Sequence, residues 1–229
     1  PAGTWFYNCT TSGTENYTYA ENTSTYTINK ADPSPYLNLT LNGNASNLTI
    51  VYNTQSNATG ISGLANNQDL TFNLYRNGTL MTSGNPASDV NILAAGAYNY
   101  VYNTTGGQNY TAGSSPVRVL TIGPATPVLT INVSPSSTVT YGTQTNVSCT
   151  SNTPEVIPQL FRNGTSVSNP DVQTLGAGAY NYTCNASATQ NYTTPVPISQ
   201  LITVNKAATT TQLYLNSAES DRIGFLWRR

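Results

Sequence analysis

Apolar and polar positions along this chain alternate with a period of two. Tyr180, Tyr182 and Cys184 interleave with Asn181 and Thr183, and Val147 and Cys149 with Asn146 and Ser148. Segments 36–41, 128–133 and 212–215 alternate in the same way. That period puts one set of side chains on one face of extended chain, so these segments predict half-buried strands. Two stretches, LYRNGT at 74–79 and LFRNGT at 160–165, carry Asn-Gly between such runs. Both residues of that dipeptide accept positive φ, which predicts a tight hairpin at each. The longest apolar run, around residues 92–98, is far shorter than the roughly 18 residues a membrane span needs.

The pattern repeats. GTWFYNCTTSGTENYT from Gly3 returns as GAYNYVYNTTGGQNYT from Gly96 and as GAYNYTCNASATQNYT from Gly178, spacings of 93 and 82 residues. TINKA at Thr27, TIGPA at Thr121 and TVNKA at Thr203 recur in step with it, each followed by a new alternating strand. A unit of that length is too long for a solenoid repeat and fits a β-sandwich. The expected division is the last third of one domain in residues 1–30, whole domains at 31–123 and 124–206, and a further first strand in 207–229. With Pro1 rather than Met at its start and no signal-peptide pattern, the chain reads as a piece of something longer.

Cys149 and Cys184 stand 35 residues apart, with Tyr182 two positions before the second. Here the sequence resembles the immunoglobulin-like sandwich, in which a disulfide joins strands B and F and a corner tyrosine precedes the second cysteine by two. Leu160 and Phe161 stand where antibody-type domains carry a core tryptophan. More narrowly, the GAYNYT…QNYT…TVNKA cadence is similar to tandem Ig-like repeats of bacterial and archaeal cell-surface proteins. The resemblance implies an all-β fold, tandem immunoglobulin-like Greek-key β-sandwiches in a linear array, with residues 1–30 as an F–G remnant. It implies a Cys149–Cys184 disulfide and hence an oxidising compartment. The 31–123 domain does without one, with Tyr102 at the Cys184 position and Ile50 expected at the Cys149 position. Cys9 matches Cys184 and calls for a partner before Pro1.

Composition removes most chemistry. Only 8 basic and 9 acidic residues and no histidine occur in 229, against 37 Thr, 21 Ser, 29 Asn and 16 Tyr. Histidine-dependent catalysis and His-ligated zinc are excluded, and scattered single carboxylates make a glycosidase acid pair unattractive. A net charge of -1 with no basic cluster argues against nucleic acid. No enzyme activity and no cofactor are expected.

One signal rises above background. Asn-x-Ser/Thr sequons occur at Asn8, Asn16, Asn22, Asn38, Asn44, Asn47, Asn57, Asn77, Asn103, Asn109, Asn132, Asn146, Asn163, Asn181, Asn185 and Asn191, where random order gives about seven. Those in strands fall opposite in parity to the inferred core: Asn38 between Leu37 and Leu39, Asn181 between Tyr180 and Tyr182. A strand with a polar outer face favours Asn and Thr in any case; dense N-glycosylation of a surface protein is the sharper expectation, with sugar supplying solubility that charge normally supplies.

Among the few charges, Arg76 and Arg162 hold register between the two whole domains, as do Asp89 and Asp171 and the pair Asp69 and Glu155. One acid per loop is too few for calcium, so Arg–Asp pairing across the sandwich edge or turn fixing is expected. The tyrosines could form a carbohydrate-binding platform, but their alternation with sequon asparagines places most of them, Tyr100 and Tyr182 included, inside, with hydroxyls expected to reach backbone acceptors. From Ser217 the composition turns charged, and Ile223, Phe225 and Trp227 alternate. The function these features point to is structural: an extracellular, cell-surface, N-glycosylated stalk or filament. Its expected partners are N-linked glycans and possible like subunits or other surface components. An adhesin using its loops to bind protein or glycan is the alternative.

Overall fold

A computed structural model describes residues 1–65, 68–215 and 218–219. The chain divides into two compact units, residues 1–126 with 188–193, and residues 127–187 with 194 onward.

The first unit opens with an antiparallel hairpin of β1 (Gly3–Thr11) and β2 (Ala20–Ile28). A sandwich follows, built of β3 (Leu37–Leu41), β4 (Leu48–Val51), β5 (Ser56–Ser62), β6 (Phe72–Arg76), β7 (Thr79–Ser83), β8 (Ala87–Asn91), β9 (Gly96–Thr104), the short β10 (Gly113–Ser114) and β11 (Arg118–Gly123). One sheet runs β3-β5-β8; the other runs β4-β11-β9-β6-β7, with β10 on β9. Strand β4 joins β11 in parallel while its neighbours pair antiparallel. The alternation does what period two requires: in β3 Leu37, Leu39 and Leu41 are buried and Asn38 is exposed. Phe72, Leu74, Tyr100, Tyr102, Leu120 and Ile122 close the core from the second sheet. Each large apolar side chain taken from water contributes about 1.5–3 kcal/mol.

The second unit repeats the plan with β12 (Leu129–Ser134), β13 (Thr138–Thr140), β14 (Thr145–Ser151), β15 (Gln159–Arg162), β16 (Thr165–Val167), β17 (Asp171–Gln173), β18 (Gly178–Asn185) and β19 (Ile198–Asn205). Its sheets are β12-β14-β17 and β13-β19-β18-β15-β16, again with a parallel β13–β19 pair. Three strands facing five in one order, with β10 added to the larger sheet in the first unit and a parallel edge pairing in each, is an all-β immunoglobulin-like sandwich seen twice. Cys149 on β14 and Cys184 on β18 form a disulfide between the sheets, Cα atoms 5.9 Å apart. Beyond it, β20 (Tyr214–Leu215) pairs with β21 (Ala218–Glu219). The alternation at Ile223, Phe225 and Trp227 lies outside the described residues.

Register corrects one expectation. Since β14 corresponds to β5, the position matching Cys149 is Gly60 and not Ile50. Ile50 instead lies on β4, opposite Ile122 of β11, as Val139 lies opposite Val204. A Cβ on Gly60 would sit 2.2 Å from the Tyr102 ring, so Tyr102 occupies in the first sandwich the space that the cystine spans in the second.

The β1–β2 hairpin carries the same face without a core. Gly3 pairs with Ile28 as Gly96 pairs with Ile122 and Gly178 with Val204. Trp5 and Tyr7 therefore match Tyr98 and Tyr100, yet every residue of the hairpin is exposed. Cys9 is a free, exposed thiol.

Candidate functional site

The candidate site is the outer surface on which the sequons lie. Twelve of the sixteen acceptor asparagines are exposed, four (Asn103, Asn109, Asn185 and Asn191) are half-buried, and none is buried. In β18 the division is sharpest: Tyr182 and Cys184 are at 0% exposure while Asn181 between its tyrosines is exposed.

Several of these amides also hold backbone. Asn77 and Asn163 sit at φ 48° and 49°, followed by Gly78 and Gly164 at 79° and 81°, the pair of positive angles that a type I′ hairpin demands. The Asn77 N–H donates to the Asn99 carbonyl and its Oδ1 accepts from the Asn99 N–H, both 2.8 Å. Asn163 does the same with Asn181, again 2.8 Å each way. The side-chain carbonyl stands in for a backbone carbonyl and adds one rung to the ladder after the strand has turned away. Asn47 Oδ1 accepts from Val119 N–H at 3.0 Å. An N-glycosidic bond is made at Nδ2, so an asparagine anchored through Oδ1 keeps its structural bond when it carries sugar. Asn8 and Asn132 differ, since their Nδ2 atoms donate to Glu21 and Thr150.

Asn109 and Asn191 have a further engagement that sequence reasoning missed. Asn109 Oδ1 accepts from Ala2 N–H at 3.0 Å, and Asn191 Oδ1 from Ala95 N–H at 2.8 Å. Ala2 and Ala95 each precede the glycine that opens the GTW or GAY strand. The following tyrosines, Tyr110 and Tyr192, form parallel bridges with Ala31 and Ala125. The repeated QNY was legible, but its partners lie 96 and 107 residues away in sequence, beyond any periodicity.

The recurrent charges meet inside. Arg76 Nη1 lies 2.7 Å from Asp89 Oδ2, and Arg162 Nη1 2.8 Å from Asp171 Oδ2. The Tyr100 and Tyr182 hydroxyls donate to those same carboxylate oxygens, at 2.9 and 2.7 Å. They therefore reach side-chain acceptors and not the backbone ones expected; Tyr98, Tyr102 and Tyr180 do reach backbone carbonyls. A buried carboxylate needs both a cation and hydrogen-bond donors, and each Asp receives both. Burial, with the carboxylate adding to it, pushes the Tyr100 and Tyr182 hydroxyls up to about 12; burial alone does so for Tyr102. Asp69 Oδ2 accepts from Asn109 N–H at 3.0 Å. Among the described residues no group of three or more Cys, Asp or Glu side chains is placed to hold a metal ion, and no helix is long and apolar enough to cross a membrane.

One shallow cleft of about 440 Å³ lies on the outer face of the β6–β9–β11 sheet, lined by Tyr75, Gly78, Asn99, Val101, Asn103 and Val117.

No family model matches the chain, and no curated protein does. Among solved structures it is similar to fibronectin(III)-like modules of Clostridium thermocellum CbhA, at 13% identity and TM-score 0.31, over 78% of this chain and all of that one. It is likewise similar to murine CEACAM1b, at 12% identity and TM-score 0.28, over 75% of this chain and all of that one. The class the strands define is the immunoglobulin-like β-sandwich, and the assignment rests on their order and register.

Proposed function

We propose that this chain is part of an extracellular, N-glycosylated surface shaft, a stalk or filament built of tandem immunoglobulin-like repeats, with a mechanical and steric role and no catalysis. The observation that carries the proposal is the placement of all sixteen acceptor asparagines outside the cores, in a chain with 17 formal charges in 229 residues. A sugar coat supplies the hydration that so few charges cannot. The disulfide fits an oxidising compartment, and the tandem cadence is the one such cell-surface repeats resemble. Electron microscopy and intact-mass analysis of protein from its native source test the proposal together. Extended particles carrying a mass excess in sugar increments support it; compact particles at the bare polypeptide mass reject it.

Adhesion is a second reading, favoured by the cleft beside Tyr75 and Val101. Asn103 lines that cleft, so a glycan there fills it. A glycan array probed with the chain, with and without Asn103→Gln, separates the two.

A further inference from the structure

The joint around Asn191 is a filled socket in the first unit. Tyr192 meets Tyr52 edge to face, ring centroids 5.4 Å apart at 81°. The Ala125 N–H donates to the Asn191 carbonyl and the Thr193 N–H to the Ala125 carbonyl, both 2.8 Å. Asn191 Oδ1 takes the Ala95 N–H. Tyr52, Ala95 and Ala125 are the receiving side.

The second unit carries the same receiving side, and among the described residues no Asn-Tyr-Thr loop closes on it. Tyr141 N–H donates to Asn205 carbonyl as Tyr52 N–H donates to Gly123 carbonyl, both at 2.8 Å, so Tyr141 is the counterpart of Tyr52. Ala177 precedes Gly178 as Ala95 precedes Gly96, and Ala207 follows the strand as Ala125 does. Tyr141, Ala177, Lys206, Ala207 and Thr209 line one cleft of about 470 Å³. Tyr141 is 57% exposed, and Ala177 and Ala207 are exposed, where Tyr52, Ala95 and Ala125 are half-covered.

We propose that this cleft is a socket for the Asn-Tyr-Thr loop of a further immunoglobulin-like repeat, entered through Ala207. At Ala31 and again at Ala125 the loop that closes on the alanine belongs to the repeat beginning there, so at Ala207 the occupant is the repeat that begins at Ala207. A second copy of this chain is a poor occupant, because two of its three Asn-Tyr-Thr loops, 109–111 and 191–193, are already engaged, and the third, 16–18, lies at the turn of a hairpin that has no core behind it. The incoming Asn caps the Ala177 N–H, its carbonyl takes the Ala207 N–H, and the Tyr ring stands edge-on to Tyr141. The assignment deepens the shaft reading by naming the next element it binds. It stands on repeat geometry alone, so bare asparagines would end that reading and leave the socket intact.

Amide hydrogen exchange by NMR tests it. In the native chain Ala95 and Ala125 amides exchange slowly, while Ala177 and Ala207 exchange fast. In a chain where Lys206 is followed by a second copy of residues 125–206, the Ala177 and Ala207 amides slow by about tenfold or more. Changing the copied Asn191 to Ala restores fast exchange at Ala177 and leaves Ala207 slow. Equal Ala177 rates in native and extended chains overturn the proposal. So does an unchanged Ala95 rate in the native chain bearing Asn191→Ala, which needs no added repeat and removes the template itself.

Discussion

The two sandwiches share strand order, parallel edge pair, Arg–Asp–Tyr cluster and Asn-Gly hairpin, and they differ where the sheets are tied across the middle. The second uses the Cys149–Cys184 bond. The first sets the Tyr102 ring over Gly60 and stacks it on Phe72 at 5.6 Å. A cystine joins two strands at little volume and acts chiefly on the unfolded chain; a tyrosine over a glycine fills the same gap by packing and acts on the folded one. One fold therefore reaches stability by two routes that respond to different perturbations.

Breaking each route separates them. Tyr102→Ala empties the centre of the first core and should cost about 3–5 kcal/mol, lowering only the first unit's transition in calorimetry. Reducing Cys149–Cys184 frees a 35-residue separation and should cost the second unit about 3–4 kcal/mol, with the first unmoved. Asn163→Ala removes the added ladder rung and should cost about 1 kcal/mol, matched by Asn77→Ala in the other unit.

Alkali sharpens the contrast more finely. Tyr100 and Tyr102 in the first core and Tyr182 in the second hold their protons up to about 12, against an ordinary 10.0. A folded-state value raised above the unfolded one gives stability that is full below pH 10 and lost as pH climbs through 12. The first unit releases two such protons on unfolding and the second one. Denaturation midpoints between pH 10 and 12 should therefore fall about twice as steeply for the first; equal slopes would contradict this.

Much of the fold was legible because its signals are local. Period-two alternation located the strands that bury Leu39, Tyr182 and Cys184, and Asn-Gly located the hairpins. What was illegible is instructive. Gly60 has no hydrophobic signature, since its role is to have no side chain where a ring needs space, so Ile50 drew the match instead. The tyrosine hydroxyls turned from backbone to carboxylate because Arg76 and Arg162 bring Asp89 and Asp171 into the interior. Asn109 and Asn191 look like any sequon, and only the chain's folding back to Ala2 and Ala95 reveals their second task.

Site-resolved glycopeptide mass spectrometry on protein from its native source reads the occupancy of each acceptor asparagine. Sugar is expected on outward strand asparagines such as Asn38, Asn132 and Asn181, with the outer faces of both sandwiches decorated. Unmodified asparagine at all sixteen positions would contradict it.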